Sequence, residues 1–117
     1  MAHLLSIDDV AEDFEEILNW AITFKGDQDV APAFTPLDGM AIGSIYEKPS
    51  TRTRVSFEVG IYKLGGYPLT LLKGDIQLGK SETVGDTAQV LSRYLGGITY
   101  RCFGHSDVVE LADKATV

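Results

Sequence analysis

The sequence is poor in sulfur and in imidazole. Cys102 is the only cysteine in 117 residues, so no disulfide can form within the chain, which suits a reducing cytoplasm. Histidine occurs only at His3 and His105. No cluster has the spacing of a metal site, so no metal is expected. No apolar run approaches the ~20 residues that a membrane-crossing helix needs. The first residues lack a basic stretch and soon turn acidic, unlike a secretion signal. Positive charge is also scarce: ten Lys and Arg stand against 17 Asp and Glu, a net charge of −7. A field of that sign disfavours nucleic acid and anionic membrane surfaces as partners.

What is present suits one compact domain with a core: 44% hydrophobic and 23% charged residues. The charge is unevenly placed. Eight of the 17 acids precede residue 30, and eight of the ten bases fall between Lys48 and Arg101. A small anion needs only one locally basic point with backbone donors, so the acidic total does not exclude it.

Along the chain, Ser6 to Phe24 reads as a helix. Ser6 and Asp9 have capping-box spacing, and Val10, Phe14, Ile17, Leu18 and Ala21 recur at helical intervals. Residues 26–39 contain Gly26, Pro32, Pro36 and Gly39 and read as a loop. Met40–Tyr46 reads as a buried strand, Thr51–Leu64 as a helix stopped by Gly65-Gly66, and Pro68–Leu72 as a second strand. A polar loop over Gly74–Lys80 precedes a helix over Glu82–Leu95, with Val84, Ala88, Leu91 and Leu95 on one face. Ile98–Phe103 reads as a third strand, and Ser106 as the cap of a last helix through Ala112. Thr116-Val117 reads as the start of a further strand, an ending expected of a truncated domain. The alternation predicts an α/β fold with three layers, αβα, around a central parallel sheet.

The chemistry concentrates in Tyr46-Glu47-Lys48-Pro49-Ser50-Thr51-Arg52-Thr53-Arg54. This stretch runs from a strand end into a helix start, where parallel sheets usually bind ligands. A helix start offers unpaired N–H groups and the positive end of a dipole. Ser50, Thr51 and Thr53 surround Arg52, whose guanidinium can grip two oxygens of a phosphate. A lone Ser-Thr-Arg is more often a helix cap beside a surface arginine. Three hydroxyls flanking an arginine at this junction favour anion binding. Arg54 precedes Glu58 by four residues, so an ion pair and a structural role are expected of it. Cys102 reads as a small packed residue and His105 as an exposed one.

Glu47-Lys48-Pro49-Ser50-Thr51-Arg52-Thr53-Arg54-Val55-Ser56-Phe57-Glu58 resembles the carbamoyl phosphate motif of the transcarbamylases. The likeness continues through Leu64-Gly65-Gly66, Asp75-Ile76-Gln77-Leu78-Gly79, Glu82-Thr83, Asp86-Thr87-Ala88 and Leu91-Ser92-Arg93. It covers residues 39–117 well and the first helix more loosely. The resemblance implies that Ser50, Thr51, Arg52 and Thr53 hold the phosphate. It also implies that Arg101, at the end of the third strand, reaches the carbamoyl and phosphate oxygens, with Arg52 and Arg101 serving catalysis. Gln77 would contribute to a neighbouring subunit's site, which implies a homotrimer or a multiple of trimers. Glu47-Lys48 before the hydroxyl motif, and the 75–79 segment, resemble the ornithine branch. Lys80 stands where the aspartate branch places a lysine from the neighbouring subunit, but Ser81 follows where that branch usually has glycine.

The implied reaction moves a carbamoyl group from carbamoyl phosphate to ornithine, giving citrulline and phosphate, in cytoplasmic arginine biosynthesis. Residues 1–117 would form an incomplete N-terminal carbamoyl phosphate-binding domain. The family's His-Pro-x-Gln segment and its ornithine-binding second domain are absent from the sequence, so the chain is expected to fold but not to catalyse. The alternatives are a transcarbamylase for aspartate or another amine, a non-catalytic anion-binding module, and a structural piece for trimer assembly.

Overall fold

The computed structural model describes residues 3–26, 34–72, 74–76 and 83–117. The strands are β1 (Ala41–Tyr46), β2 (Tyr67–Leu72) and β3 (Gly97–Arg101). The helices are α1 (Phe14–Gly26), α2 (Thr51–Lys63), α3 (Val84–Ser92) and α4 (His105–Lys114), with a short 3-10 turn at Ile7–Val10. The sheet is parallel throughout, in the order β2-β1-β3. The expected α/β architecture is what the chain adopts.

β1 is central and almost wholly buried, as its apolar composition requires. Side chains alternate between sheet faces, and the two faces differ in character. On one, Ile45 packs with Val84 and Ala88 of α3 and Leu111 of α4, with Leu71, Ile98 and Tyr100 around them. Gly43 shares this face. A β-carbon there would lie 2.5 Å from a methyl of Leu95, so a larger residue would oblige that side chain, just beyond α3, to shift. On the other face, Ser44 is in register with Thr70 on β2 and Thr99 on β3, a row of three hydroxyl residues on the α2 side. α2 covers this face with a single buried residue, Ile61.

Gly65 closes α2 with φ of +92°, and a side chain there would press on Thr35 and the Asp38 backbone. The expected stop at Gly65-Gly66 is therefore real, and its reason is both conformational and steric. β2 begins one residue earlier than expected. β3 ends two residues earlier, leaving Cys102 half-buried and Phe103 exposed.

Five expectations are corrected. The first helix is interrupted: Asp9 does accept from the backbone N–H groups of Leu5 and Ser6, but it closes only a 3-10 turn, and α1 starts at Phe14. Gly26 ends that helix rather than opening a loop. No residue of α1 is buried. Its Trp20 and Phe24 meet Phe34 in an aromatic group with ring centroids 5.4–5.6 Å apart, in which Trp20 and Phe34 are exposed and Phe24 half-buried. α3 is shorter than expected, ending at Ser92, although Leu95 still reaches the core. Ser106 lies inside α4, whose cap is Gly104, and Thr116-Val117 forms no strand. The Thr116 N–H instead donates to the Ser92 hydroxyl at 3.0 Å.

Candidate functional site

The strand order creates a topological switch. β1 runs through α2 to β2 on one side, and the chain then crosses to β3 on the other side of β1. Helices leaving β1 and β3 therefore diverge to opposite faces, the arrangement that commonly places a ligand crevice at the carboxyl ends of such strands; the cleft found here opens on the β2 side of β1, with Leu72 and Gly74 in its wall. Tyr46 ends β1 in register with Arg101, which ends β3. The Glu47 N–H donates to the Arg101 carbonyl at 3.0 Å, tying the loop before α2 to the end of β3. Lys48 then extends over the Phe103 ring, 5.6 Å from its centroid, a cation–π contact just beyond β3.

Ser50 is the cap of α2, extended at φ −160° and ψ 91°, yet its side chain makes no capping bond. No acidic residue lies in the first turn of α2. The other helices all carry acid there: Glu15 and Glu16 in α1, Asp86 in α3, Asp107 in α4. The positive end of the α2 dipole is thus left without a side-chain anion of its own.

A cleft of ≈ 340 Å³ opens at this turn, lined by Tyr46, Lys48, Pro49, Ser50, Thr51, Arg54, Leu72 and Gly74. Of the residues singled out by sequence, Ser50 and Thr51 stand in its wall. Arg52, exposed, and Thr53, half-buried, share the same helical turn but do not line the cleft. Arg101 is exposed at the adjacent strand end, outside the lining. Gln77 and Lys80 lie outside the described residues. His105 is exposed at the start of α4.

Arg54 pairs with Glu58 as its spacing predicts, Nε to Oε1 at 3.1 Å. Sequence reasoning missed two things about it. Arg54 is also part of the cleft wall, and Glu58 takes a second, shorter bond from the Thr70 hydroxyl on β2 at 2.6 Å. The Thr70 bond foremost, then Arg54, holds the Glu58 carboxyl below its ordinary range. No local signal could reveal Thr70, twelve residues away and on another element.

Tyr46 was also missed. Its ring is buried, and burial pushes its phenol above the ordinary range, with the nearby Ser44 hydroxyl opposing. Neither hydroxyl reaches a partner at full hydrogen-bond geometry. Among the described residues no group of three or more His, Cys, Asp or Glu gathers as metal ligands, and no helix is long and apolar enough to cross a membrane.

The chain is similar to known proteins in both sequence and structure. Residues 2–117 match the family described as aspartate/ornithine carbamoyltransferase, carbamoyl-P binding domain. An ornithine carbamoyltransferase of Syntrophus aciditrophicus is 50% identical over 115 residues, covering 97% of this chain and 38% of that protein. The solved ornithine carbamoyltransferase from Pyrococcus furiosus superposes with a TM-score of 0.88 at 44% identity, over 100% of this chain and 39% of that one. The catalytic subunit of M. jannaschii aspartate transcarbamoylase superposes at 0.84 with 29% identity, again over 100% of this chain and 39% of that one. The chain thus spans about two-fifths of the length of these relatives.

Proposed function

This chain belongs to the aspartate/ornithine carbamoyltransferase family, as its carbamoyl phosphate-binding domain, and from that premise we propose that it holds carbamoyl phosphate at the β1–α2 junction for transfer to ornithine. The observation that carries the reading is the start of α2, which opens on a cleft at the carboxyl end of the sheet with neither a side-chain cap nor an acid. Backbone N–H groups of the first turn, with Ser50, Thr51 and Thr53, receive the phosphate. Arg52 adds a two-pronged grip from the same turn. Arg101 reaches the carbamoyl oxygen from the neighbouring strand end.

The chemistry these groups serve is nucleophilic displacement at a carbonyl. The neutral side-chain amine of ornithine attacks the carbamoyl carbon, and an N–C bond forms. The C–O bond to phosphate then breaks with its electron pair on phosphate, and the amine gives up one proton. Negative charge grows first on the carbonyl oxygen and then on the leaving group. Fixed donors already aimed at both positions stabilise it without reorganising. Arg52, Thr53 and Arg101 fill that role, and holding both reactants in one site contributes the rest.

Residues 1–117 act as one carbamoyl phosphate-binding unit, with ornithine bound by a second domain. Gln77 serves a neighbouring subunit's site in a trimer, in the cytoplasm and in arginine metabolism. The second reading, an aspartate acceptor, draws on Lys80. Titration of the chain with carbamoyl phosphate, followed by amide NMR, tests the site: resonances of residues 50–53 are expected to shift and saturate, and inorganic phosphate to compete. Saturable binding that leaves those resonances unmoved overturns it. Product analysis with ornithine and aspartate offered together, using protein that carries the acceptor domain, decides the branch.

A further inference from the structure

The N-terminal half of α2, which bears the proposed site, has no apolar anchor. Val55, Phe57 and Val59 are exposed, and the one buried residue of the helix, Ile61, lies near its other end. The first turns are instead joined to the sheet by a polar chain. The Thr70 hydroxyl on β2 donates to Glu58 Oε1 at 2.6 Å, and the same oxygen accepts from Arg54 Nε at 3.1 Å. Arg54 in turn stands in the wall of the cleft with Ser50 and Thr51. The Glu58 side chain is 35% exposed and that of Arg54 45%, so the bond from Thr70 is the more sheltered of the two.

We propose that Glu58 is a positioning residue for the anion site: bound to Thr70, it fixes the first turns of α2 and the Arg54 side chain at the cleft. This rests on the phosphate-binding reading of the α2 start. Physically, a helix end held only by its own backbone bonds frays. A frayed turn loses the convergence of N–H groups that makes it an anion site. Burial of Ile61 fixes the far end, the loop before the helix is tied to β3 through Glu47, and a charged acceptor shared by β2 and the helix holds the turns between. Arg54 is held with it, because Glu58 grips both partners through one oxygen.

The test uses Thr70→Val, which removes the donor at nearly constant volume, with Thr70→Ser as the conservative rescue and Glu58→Gln as a second variant. Amide hydrogen exchange and inorganic phosphate titration are read on each. In Thr70→Val, amides 54–57, whose helical bonds run back to the first turn, are expected to exchange roughly tenfold faster, while 61–63 stay unchanged. The phosphate Kd is expected to rise about fivefold, as for the loss of one bond to a charged group. Thr70→Ser restores both. Glu58→Gln, which keeps an acceptor for Thr70 but removes the negative charge that faces Arg54, shows an intermediate rise. Unchanged exchange at 54–57 in both Thr70→Val and Glu58→Gln overturns the proposal, as does uniform acceleration along α2, the mark of a general stability loss. If the unaltered chain binds no phosphate, the functional reading fails, and the exchange pattern alone decides whether Glu58 holds the turn.

Discussion

The helices α2 and α3 begin alike in sequence, with a hydroxyl residue at the cap, and finish in opposite electrostatic states. Thr83 accepts from the Asp86 N–H at 3.0 Å, and Asp86 itself places an acid in the first turn of α3. That helix satisfies its own N-terminus and packs through Val84 and Ala88 into the core. Ser50 makes no such bond, and no acid enters the first turn of α2. α2 also contributes only one buried residue. The end that stabilises itself is structural, and the end left open is available to a ligand. A self-satisfied helix start and an open one thus stand at two helix N-termini against the same sheet.

The largest expected effect breaks the open end. Arg52→Ala is expected to weaken carbamoyl phosphate binding by ~2–4 kcal/mol, since a charge-assisted pair is lost. Arg52→Lys is expected to recover only part of this, because one ammonium cannot replace a fork. Calorimetry on the three proteins checks both statements, and equal affinities would remove Arg52 from the site.

Making α2 resemble α3 sharpens the comparison. Thr53→Glu sets a glutamate three residues after Ser50, the spacing of a capping box. It is expected to raise stability by ~0.3–1 kcal/mol through the dipole while weakening phosphate binding by about 1–3 kcal/mol through competition for the same donors. Paired thermal melts and titrations read the two opposed changes. A stabilised variant that binds as before would show that the anion does not use this turn.

The converse change opens α3. Thr83→Ala removes a cap and is expected to lower stability by ~1 kcal/mol. Phosphate affinity is expected to stay the same. Denaturant melts beside a titration separate the two quantities.

The smallest effect is electrostatic. Glu58 has a folded-state pKa below the ordinary carboxylate value of 4.5. Its contribution to stability is therefore fully present above pH 4.5 and lost as pH falls through the lower folded value. Melting temperatures measured below pH 4.5 are expected to fall less steeply for Glu58→Gln than for the unaltered chain. Parallel curves would show that Glu58 gains nothing from Thr70 and Arg54.

The alternating elements were legible because apolar runs and glycine stops are local signals. β1, α2 and β2 lie within a residue or so of their expected bounds. The first helix was misread for a physical reason: Val10, Phe14, Ile17 and Leu18 have the period of a buried face, but periodicity does not say what the face meets. In this fold Phe14, Ile17 and Leu18 stay exposed and Val10 is only half-buried. Ser106 failed differently. A serine near a helix start is a common cap, but Gly104 takes the extended conformation that the cap requires.

By itself the sequence determined the parallel α/β class, the hydroxyl-and-arginine turn at residues 50–53, and the Arg54–Glu58 pair, because each depends on neighbours within a few positions. Only the tertiary structure decided that Arg101 ends its strand beside Tyr46, that Arg54 stands in the cleft wall, and that Thr70 reaches Glu58. Those juxtapositions follow from the order β2-β1-β3 and its register. Strand order is fixed by which apolar faces find each other when the whole sheet condenses, and that choice is written in no single segment.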